Sequence, residues 1–282
     1  MRCAVYCANH GRLGDPRTLV DLALLAEEAG WDGFFLYDHI VVVPGRAYPS
    51  VDPWSVLAVV ADRTRLVLGP LVTPLARRRP WELAHQAIAL DRLAEGRLVL
   101  GAGLGEPTDF VAFGDRADPR ERARRLDEAL ELLAALWGGE PVDHDGSWTL
   151  DGVALRPGPV RGRIPVWIAG RYPHRAPLRR AARWDGIFPI NTRWELDDPL
   201  RPAQLEELLA VVRAERGGLD GFEVVTAGVT PADRRAAAAI AAPYARAGAT
   251  WWLEIVEGRR GTVEELRRRV AAGPPRVAPP DR

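Results

Sequence analysis

Apolar, strand-like runs and amphipathic, helix-like runs alternate along this chain from end to end, and no other feature restricts its fold as much. The strand candidates are CAVYCA (3–8), GFFLYD (33–38), RLVLG (65–69), RLVLGAG (97–103), IPVWIAG (164–170), DGIFPI (185–190), FEVVTAG (222–228) and ATWWLEI (249–255). Several are continuously apolar, as strands are when helices cover both faces of a parallel sheet. The helices between them include TLVDLALLAEEAG (18–30) and RARRLDEALELLAALW (122–137). A capping oxygen before a proline marks helix starts at Asp15-Pro16, Asp52-Pro53, Asp118-Pro119 and Thr230-Pro231, and Gly30 and Gly248 mark helix stops. Eight strand–helix units in 282 residues predict an α/β fold, a (β/α)8 TIM barrel forming one domain over residues 1–272. An open doubly wound sheet shares the local pattern, but no G-x-G-x-x-G follows the first strand. Residues 139–163 carry two Asp-Gly turns and read as a small hairpin inserted between helix four and strand five. The proline-rich segment 273–282 reads as a disordered tail.

Charge and composition then narrow the chemistry. The 38 basic and 38 acidic side chains balance, so net charge draws the chain toward neither nucleic acid nor anionic lipid. No apolar run reaches the ~18–20 residues that cross a bilayer, and MRCAVYCANH lacks the layout of a signal peptide. A cytoplasmic address is expected. All 38 basic residues are arginine. Without a lysine amine, Schiff-base catalysis, covalent pyridoxal phosphate and a P-loop are excluded. Cys3 and Cys7 share one face of the first strand, too far apart to cross-link, and read as reduced core thiols. H-x-H on strand one and H-E-x-x-H are missing, so no metal ligands are assigned. A metal-dependent isomerase or hydrolase on this barrel stays open as the alternative.

In a barrel the C-terminal ends of all strands open onto one mouth, where small-molecule sites collect. That placement gathers Asn9 and His10, Asp38 and His39, Thr73, and Glu106 and Asp109 from the first four strands. Arg171, Tyr172 and His174 follow strand five, Asn191, Thr192 and Arg193 follow strand six, and Glu254 and Glu257 end strand eight. His39 is the acid/base candidate, with its titration tuned by Asp38. His85 in a helix and His144 in the hairpin read as structural, and Arg77-Arg78-Arg79 as a solvated loop or an anion contact. Gly101, Gly103 and Gly105 alternate, leaving backbone that a flat ring can approach. Gly170 and Arg171 directly precede a helix, where free N–H groups and arginine favour a phosphate. A ring-shaped, phosphorylated cofactor fits both loops, with Trp54 and Trp81 near it.

With these segments in view the chain resembles the bacterial luciferase-like monooxygenase superfamily of flavin- and deazaflavin-dependent oxidoreductases. The resemblance lies in AEEAGWDGFFLYDHI (26–40), GPLVTPLARRRPWELAHQAIALDRLAEGRLVLGAGLGE (69–106), DFVAFGD (109–115), ERARRLDEALELLAALWGGEPV (121–142) and the pair IPVWIAG and RRAARWDGIFPI within 164–190. It implies a barrel that is commonly a homodimer and acts on a small organic substrate. Reduced FMN with oxygen, or hydride exchange with coenzyme F420, would supply the chemistry, with a separate flavin or F420 reductase as a possible partner. It also implies a strained peptide bond within Gly69–Thr73 beneath the ring. Pro70, Leu71 and Thr73 thus join Gly103, Gly105, Gly170, Arg171 and Tyr172 in the expected cofactor-binding set. His39 matches the base near the hydride-transfer carbon and Glu106 the candidate acid, with Asp38 completing the catalytic set. The lysines that some deazaflavin members direct at a substrate phosphate are missing, which argues against sugar-phosphate substrates. A flavin-binding protein of the same fold without turnover is the non-enzymatic alternative.

Overall fold

The computed structural model describes residues 1–43, 45–115, 118–191, 196 and 199–277. Its strands are β1 (Arg2–Cys7), β2 (Gly33–Leu36), β3 (Val67–Pro70), β4 (Thr73–Pro74), β5 (Leu100–Gly103), β6 (Val142–Asp145), β7 (Thr149–Val153), β8 (Val166–Arg171), β9 (Gly186–Ile190), β10 (Glu223–Gly228) and β11 (Trp251–Val256). Apart from the antiparallel β6–β7 hairpin, they form one parallel sheet in the order β3-β2-β1-β11-β10-β9-β8-β5-β4. β3 and β4 are two halves of one stave, so these nine strands make eight staves. The seam closes where Leu68 bridges Leu98, with the Leu68 amide donating to the Arg97 carbonyl at 3.2 Å and the Val99 amide to the Leu68 carbonyl at 2.9 Å. The eight-stave parallel barrel expected from the strand count is therefore present.

Buried rings from non-adjacent staves meet inside it. Phe35, Trp167 and Trp251 stack with centroids 5.2–6.0 Å apart. Nearer the C-terminal strand ends, Tyr6 packs on Tyr37 at 4.4 Å and on Phe188 at 5.6 Å. The interior is thus filled with side chains, as a closed barrel of eight strands requires.

The helices are α1 (Pro16–Glu28), α2 (Pro53–Arg63), α3 (Pro80–Leu93), α4 (Thr108–Val111), α5 (Pro119–Gly138), α6 (Arg175–Ala181), α7 (Pro202–Arg216), α8 (Arg234–Arg246) and α9 (Val263–Ala271). Asp15, Asp52 and Asp118 cap α1, α2 and α5 with side-chain oxygens, as their spacing predicts. Thr230-Pro231 is a correction, because α8 begins at Arg234 under an Asp233 cap. The Thr230 hydroxyl instead donates to Glu254. The second Asp-Gly pair is another. Asp145-Gly146 turns the hairpin, but Gly152 lies inside β7 at φ +59, where the register against β6 shifts. That local kink is a bulge, a use of glycine that sequence alone does not separate from a turn. Cys3 and Cys7 are buried free thiols. Residues 273–277 of the proline-rich tail are described, with Cys3 Sγ donating to the Pro275 carbonyl at 3.6 Å, and 278–282 lie outside the described residues.

Candidate active site

Asp38 and His39 follow β2 in an extended segment, so their side chains diverge. Asp38 is buried and accepts hydrogen bonds from Thr73 Oγ1 at 2.9 Å, Arg77 at 2.8 Å and Arg78 at 2.9 Å. It does not hold His39, and the expected Asp38–His39 pairing is corrected for that reason. His39 Nδ1 lies 3.1 Å from Oδ2 of Asp109, on α4 and 70 residues further along the chain. Asp109 is fully buried, and its Oδ1 accepts the backbone N–H of Ile40 at 3.1 Å and of Val41 at 2.9 Å. The Arg77 guanidinium approaches Oδ2 to 3.0 Å. Burial pushes the Asp109 carboxyl up, but the bonds from His39 and Val41 and the charge of Arg77 outweigh it and hold the pKa below the ordinary carboxylate value. Asp109 is therefore an ionised carboxylate at neutral pH.

The arginine run is not the solvated loop its composition suggests. Arg77 and Arg78 leave only 10% and 20% of their side chains exposed, while Arg79 is exposed and pairs with Glu82. Arg78 lies 5.8 Å over Trp54, whose indole N–H donates to Thr73 Oγ1 at 3.2 Å. Trp54 thus belongs to the expected neighbourhood, and Trp81 sits partly buried at the start of α3.

The segment Gly69–Thr73 contains a cis peptide between Leu71 and Val72. The Leu71 carbonyl accepts the Tyr6 hydroxyl, and its amide donates to Leu36 at 2.7 Å. Pro70, Leu71 and Thr73 are buried in this wall. The alternating glycines also serve close packing. A Cβ on Gly101 would meet the Pro70 carbonyl oxygen at 2.5 Å, one on Gly103 the Val72 side chain at 2.8 Å, and one on Gly105 Pro74 at 2.6 Å. A Cβ on Gly170 would meet Pro177 at 2.3 Å. These glycines let neighbouring protein approach closely on the side where a Cβ would stand.

At these strand ends Val72, Leu104, Ala169 and Ile190 are half-buried apolar residues, and Glu106, Arg171 and Tyr172 are half-buried as well. In register, Thr73 pairs with Ala102, Ala102 with Ile168 and Arg171 with Ile190, so these strand ends lie side by side. Glu106 and Arg171 form an ion pair there. The Tyr172 hydroxyl donates to Glu207 of α7 at 2.9 Å, and His174 begins α6 without a side-chain cap. Half-buried apolar side chains beside an arginine have the chemistry that a planar ring with an anionic tail would call for.

Asn9, Tyr37 and His10 complete the mouth. Asn9 is buried and ties the ends of β1 and β2 together, its Nδ2 donating to the carbonyls of His39 and Val51 at 2.8 Å each. The His10 ring lies 5.8 Å from that of His39. Burial first, then repulsion by His39, lowers the His10 pKa to about 4. Glu257 is buried near the Tyr37 hydroxyl at 3.5 Å and pairs with Arg259. Glu254 is not a mouth residue. It faces outward to α9, where Arg269 approaches to 3.2 Å, and Arg260 to 2.7 Å. Thr192 and Arg193 lie outside the described residues. Among the described residues no group of three or more His, Cys, Asp or Glu is placed to hold a metal ion, and no helix is long and apolar enough to cross a membrane.

An eight-stave parallel barrel with a histidine–carboxylate pair and half-buried apolar side chains at its C-terminal strand ends has the build of a small-molecule barrel enzyme. The chain belongs to the luciferase-like monooxygenase family, whose pattern it matches over residues 1–274. It is 39% identical over 166 residues to an F420-dependent glucose-6-phosphate dehydrogenase of Nocardia farcinica, covering 56% of this chain and 48% of the relative. It is 38% identical over 220 residues to the F420-dependent glucose-6-phosphate dehydrogenase 2 of Rhodococcus jostii, covering 75% and 63%. The chain thus spans less than two thirds of these relatives' length. Among solved structures, an F420-dependent secondary alcohol dehydrogenase in complex with an F420-acetone adduct superposes with a TM-score of 0.76 at 16% identity, covering 95% of this chain and 96% of that one. The coenzyme F420-dependent tetrahydromethanopterin reductase of Methanopyrus kandleri superposes at 0.74 and 17% identity, covering 96% and 97%.

Proposed function

We propose that this protein is an F420-dependent oxidoreductase acting on a small organic alcohol or its carbonyl partner. The carrying observation is His39, seated on a buried carboxylate at the C-terminal strand ends that also hold the half-buried side chains of Val72, Leu104, Ala169 and Ile190. When bound, the deazaflavin supplies a carbon that accepts or gives a hydride. The chain's own residues do the rest. Val72, Leu104, Ala169 and Ile190 would cover the ring and exclude water, and Arg171, held by Glu106, would meet the anionic tail. Pro70, Leu71, Thr73, Gly103, Gly105 and Gly170 shape the wall behind these side chains. His39 takes the hydroxyl proton of an alcohol as hydride leaves its carbon, and returns it in the reverse direction. Asp38 contributes by anchoring Arg77 and Arg78.

The sequence relatives named for F420 favour that cofactor over FMN. FMN with oxygen is the second reading, supported by barrel neighbours such as the oxygenating constituent of 3,6-diketocamphane monooxygenase in complex with FMN, at 16% identity. The apolar rim of Ile40, Val43, Val111 and Phe113 supports a substrate with an apolar face over a sugar phosphate. We further read a single barrel domain through residue 272, working in the cytoplasm on cofactor recycled by a separate reductase. It pairs as a homodimer through the side where Val59 of α2 and Leu93 of α3 are exposed.

Fluorescence titration with F420 and FMN, followed by turnover on secondary alcohols and on glucose 6-phosphate, tests this reading. F420 binding and alcohol turnover are expected, and binding of FMN alone overturns it. His39→Ala is expected to leave F420 affinity within about twofold while turnover falls roughly 10²–10⁴-fold, the range for a lost acid/base group.

A further inference from the structure

We propose that Asp109 is a positioning residue that fixes the tautomer of His39, putting the proton on Nδ1 and leaving Nε2 as the acceptor at the mouth. An ionised carboxylate offers only acceptors. At 3.1 Å from Asp109 Oδ2, Nδ1 of a neutral His39 carries the hydrogen. Asp109 itself has little freedom. It sits on α4 with no exposed surface, two backbone N–H groups hold Oδ1, and Arg77 sits against Oδ2. Arg77 also binds Asp38, so one chain of charges runs from His39 through Asp109 and Arg77 to Asp38 and Arg78. His39 is held by its backbone as well, since Asn9 accepts from its N–H at 3.3 Å and donates to its carbonyl at 2.8 Å. The backbone bonds fix where the residue stands, and Asp109 fixes which nitrogen is bare. The consequence for turnover rests on the F420 reading above, whereas the tautomer does not.

Asp109→Asn separates the two. The Asn oxygen is expected to stay on the Ile40 and Val41 amides, because turning the amide round would set its NH₂ against two N–H donors, whereas in this orientation the NH₂ meets one donor, the Arg77 guanidinium, which can swing aside as a side chain. Nδ2 then points at His39 Nδ1 and donates to it, so the histidine proton moves to Nε2 and the acceptor at the mouth is lost. Nitrogen-15 NMR on the purified full-length chain reads this directly, with the His39 signal assigned by its loss in His39→Gln. The wild-type measurement stands even where a variant fails to fold. Expected are an Nδ1–H ring in the wild type, an Nε2–H ring in Asp109→Asn, and in that variant a kcat lower by on the order of 10²-fold or more with F420 affinity changed less than about threefold. A neutral wild-type ring protonated on Nε2, or an unchanged tautomer in Asp109→Asn, overturns the proposal whatever the activity. The expected tautomers without F420 turnover overturn the functional reading and leave the positioning of His39 standing.

Discussion

His10 is a histidine kept neutral by its place. Its ring is enclosed by Tyr37, Tyr48 and His39, with Glu257, Arg259 and Asp109 acting on its charge from further off. Between its ordinary pKa of 6.5 and its folded value of about 4, the unfolded chain carries a proton there that the folded chain does not. Stability contributed by neutral His10 is therefore complete above pH 6.5 and is lost as pH falls toward 4. Asp109, with its lowered pKa, contributes in a separate window that opens only below its ordinary 3.8. Urea unfolding between pH 7 and 4 is expected to show stability declining with acid, and His10→Gln to flatten that decline. An unchanged slope in the variant removes His10 as its source. Sequence reading placed His10, His39, Asp109 and Glu257 at the mouth, because strand ends in a barrel are countable, but it did not place Tyr37, Tyr48 or Arg259 there. It paired His39 with the wrong acid, because adjacency along an extended chain puts side chains on opposite sides. The true partner is 70 residues away, and only the barrel brings α4 over the end of β2.

The β6–β7 hairpin shows the same division between what is local and what is not. Its composition marked it as an insertion, and its turn falls where the first Asp-Gly pair predicts. Its anchor was not legible. Glu128, in the middle of α5, accepts from the Ser147 amide at 2.6 Å, the Ser147 hydroxyl and His144 Nε2 at 2.9 Å, and it also meets Arg124. These bonds hold the Glu128 carboxyl below its ordinary pKa against the burial that would raise it. Removing the acceptor leaves several donors unsatisfied on a partly buried surface. Glu128→Ala is expected to cost about 1–3 kcal/mol and to act on the hairpin first. Hydrogen exchange at Ser147 and Trp148 is the measurement, with faster exchange there than in β8 as the expected result. Uniform acceleration across the barrel would mean that the hairpin and barrel unfold as one unit. His144, read from sequence as structural, is one of the ligands of this clamp.

Closure of the barrel depends on one position more than on any other glycine. Gly69 lies in β3 at the seam, where a Cβ would fall 1.8 Å from the Val99 carbonyl oxygen. That oxygen belongs to the backbone that closes stave three onto stave four through Leu68, so it cannot swing aside like a side chain. Gly69→Ala must therefore part the seam or bend a stave, and everything at the mouth rides on those staves: Thr73 and Asp38 on one side, Glu106 and Asp109 on the other. Gly138, at the end of α5, is the contrasting case, because a Cβ there meets nothing within 4 Å. The same substitution has opposite consequences at the two sites. Gly138→Ala is expected to stabilise by about 0.5–1 kcal/mol through helix propensity. Gly69→Ala is expected to cost more than about 4 kcal/mol, in the range reserved for severe overpacking. On the proposed reading it should also weaken cofactor binding, because the strand ends that carry the site residues no longer meet in register. Denaturant midpoints with unchanged m-values decide the stability comparison, and a Gly69→Ala cost below about 1 kcal/mol would show that the seam yields and that its tight approach does not hold the mouth together.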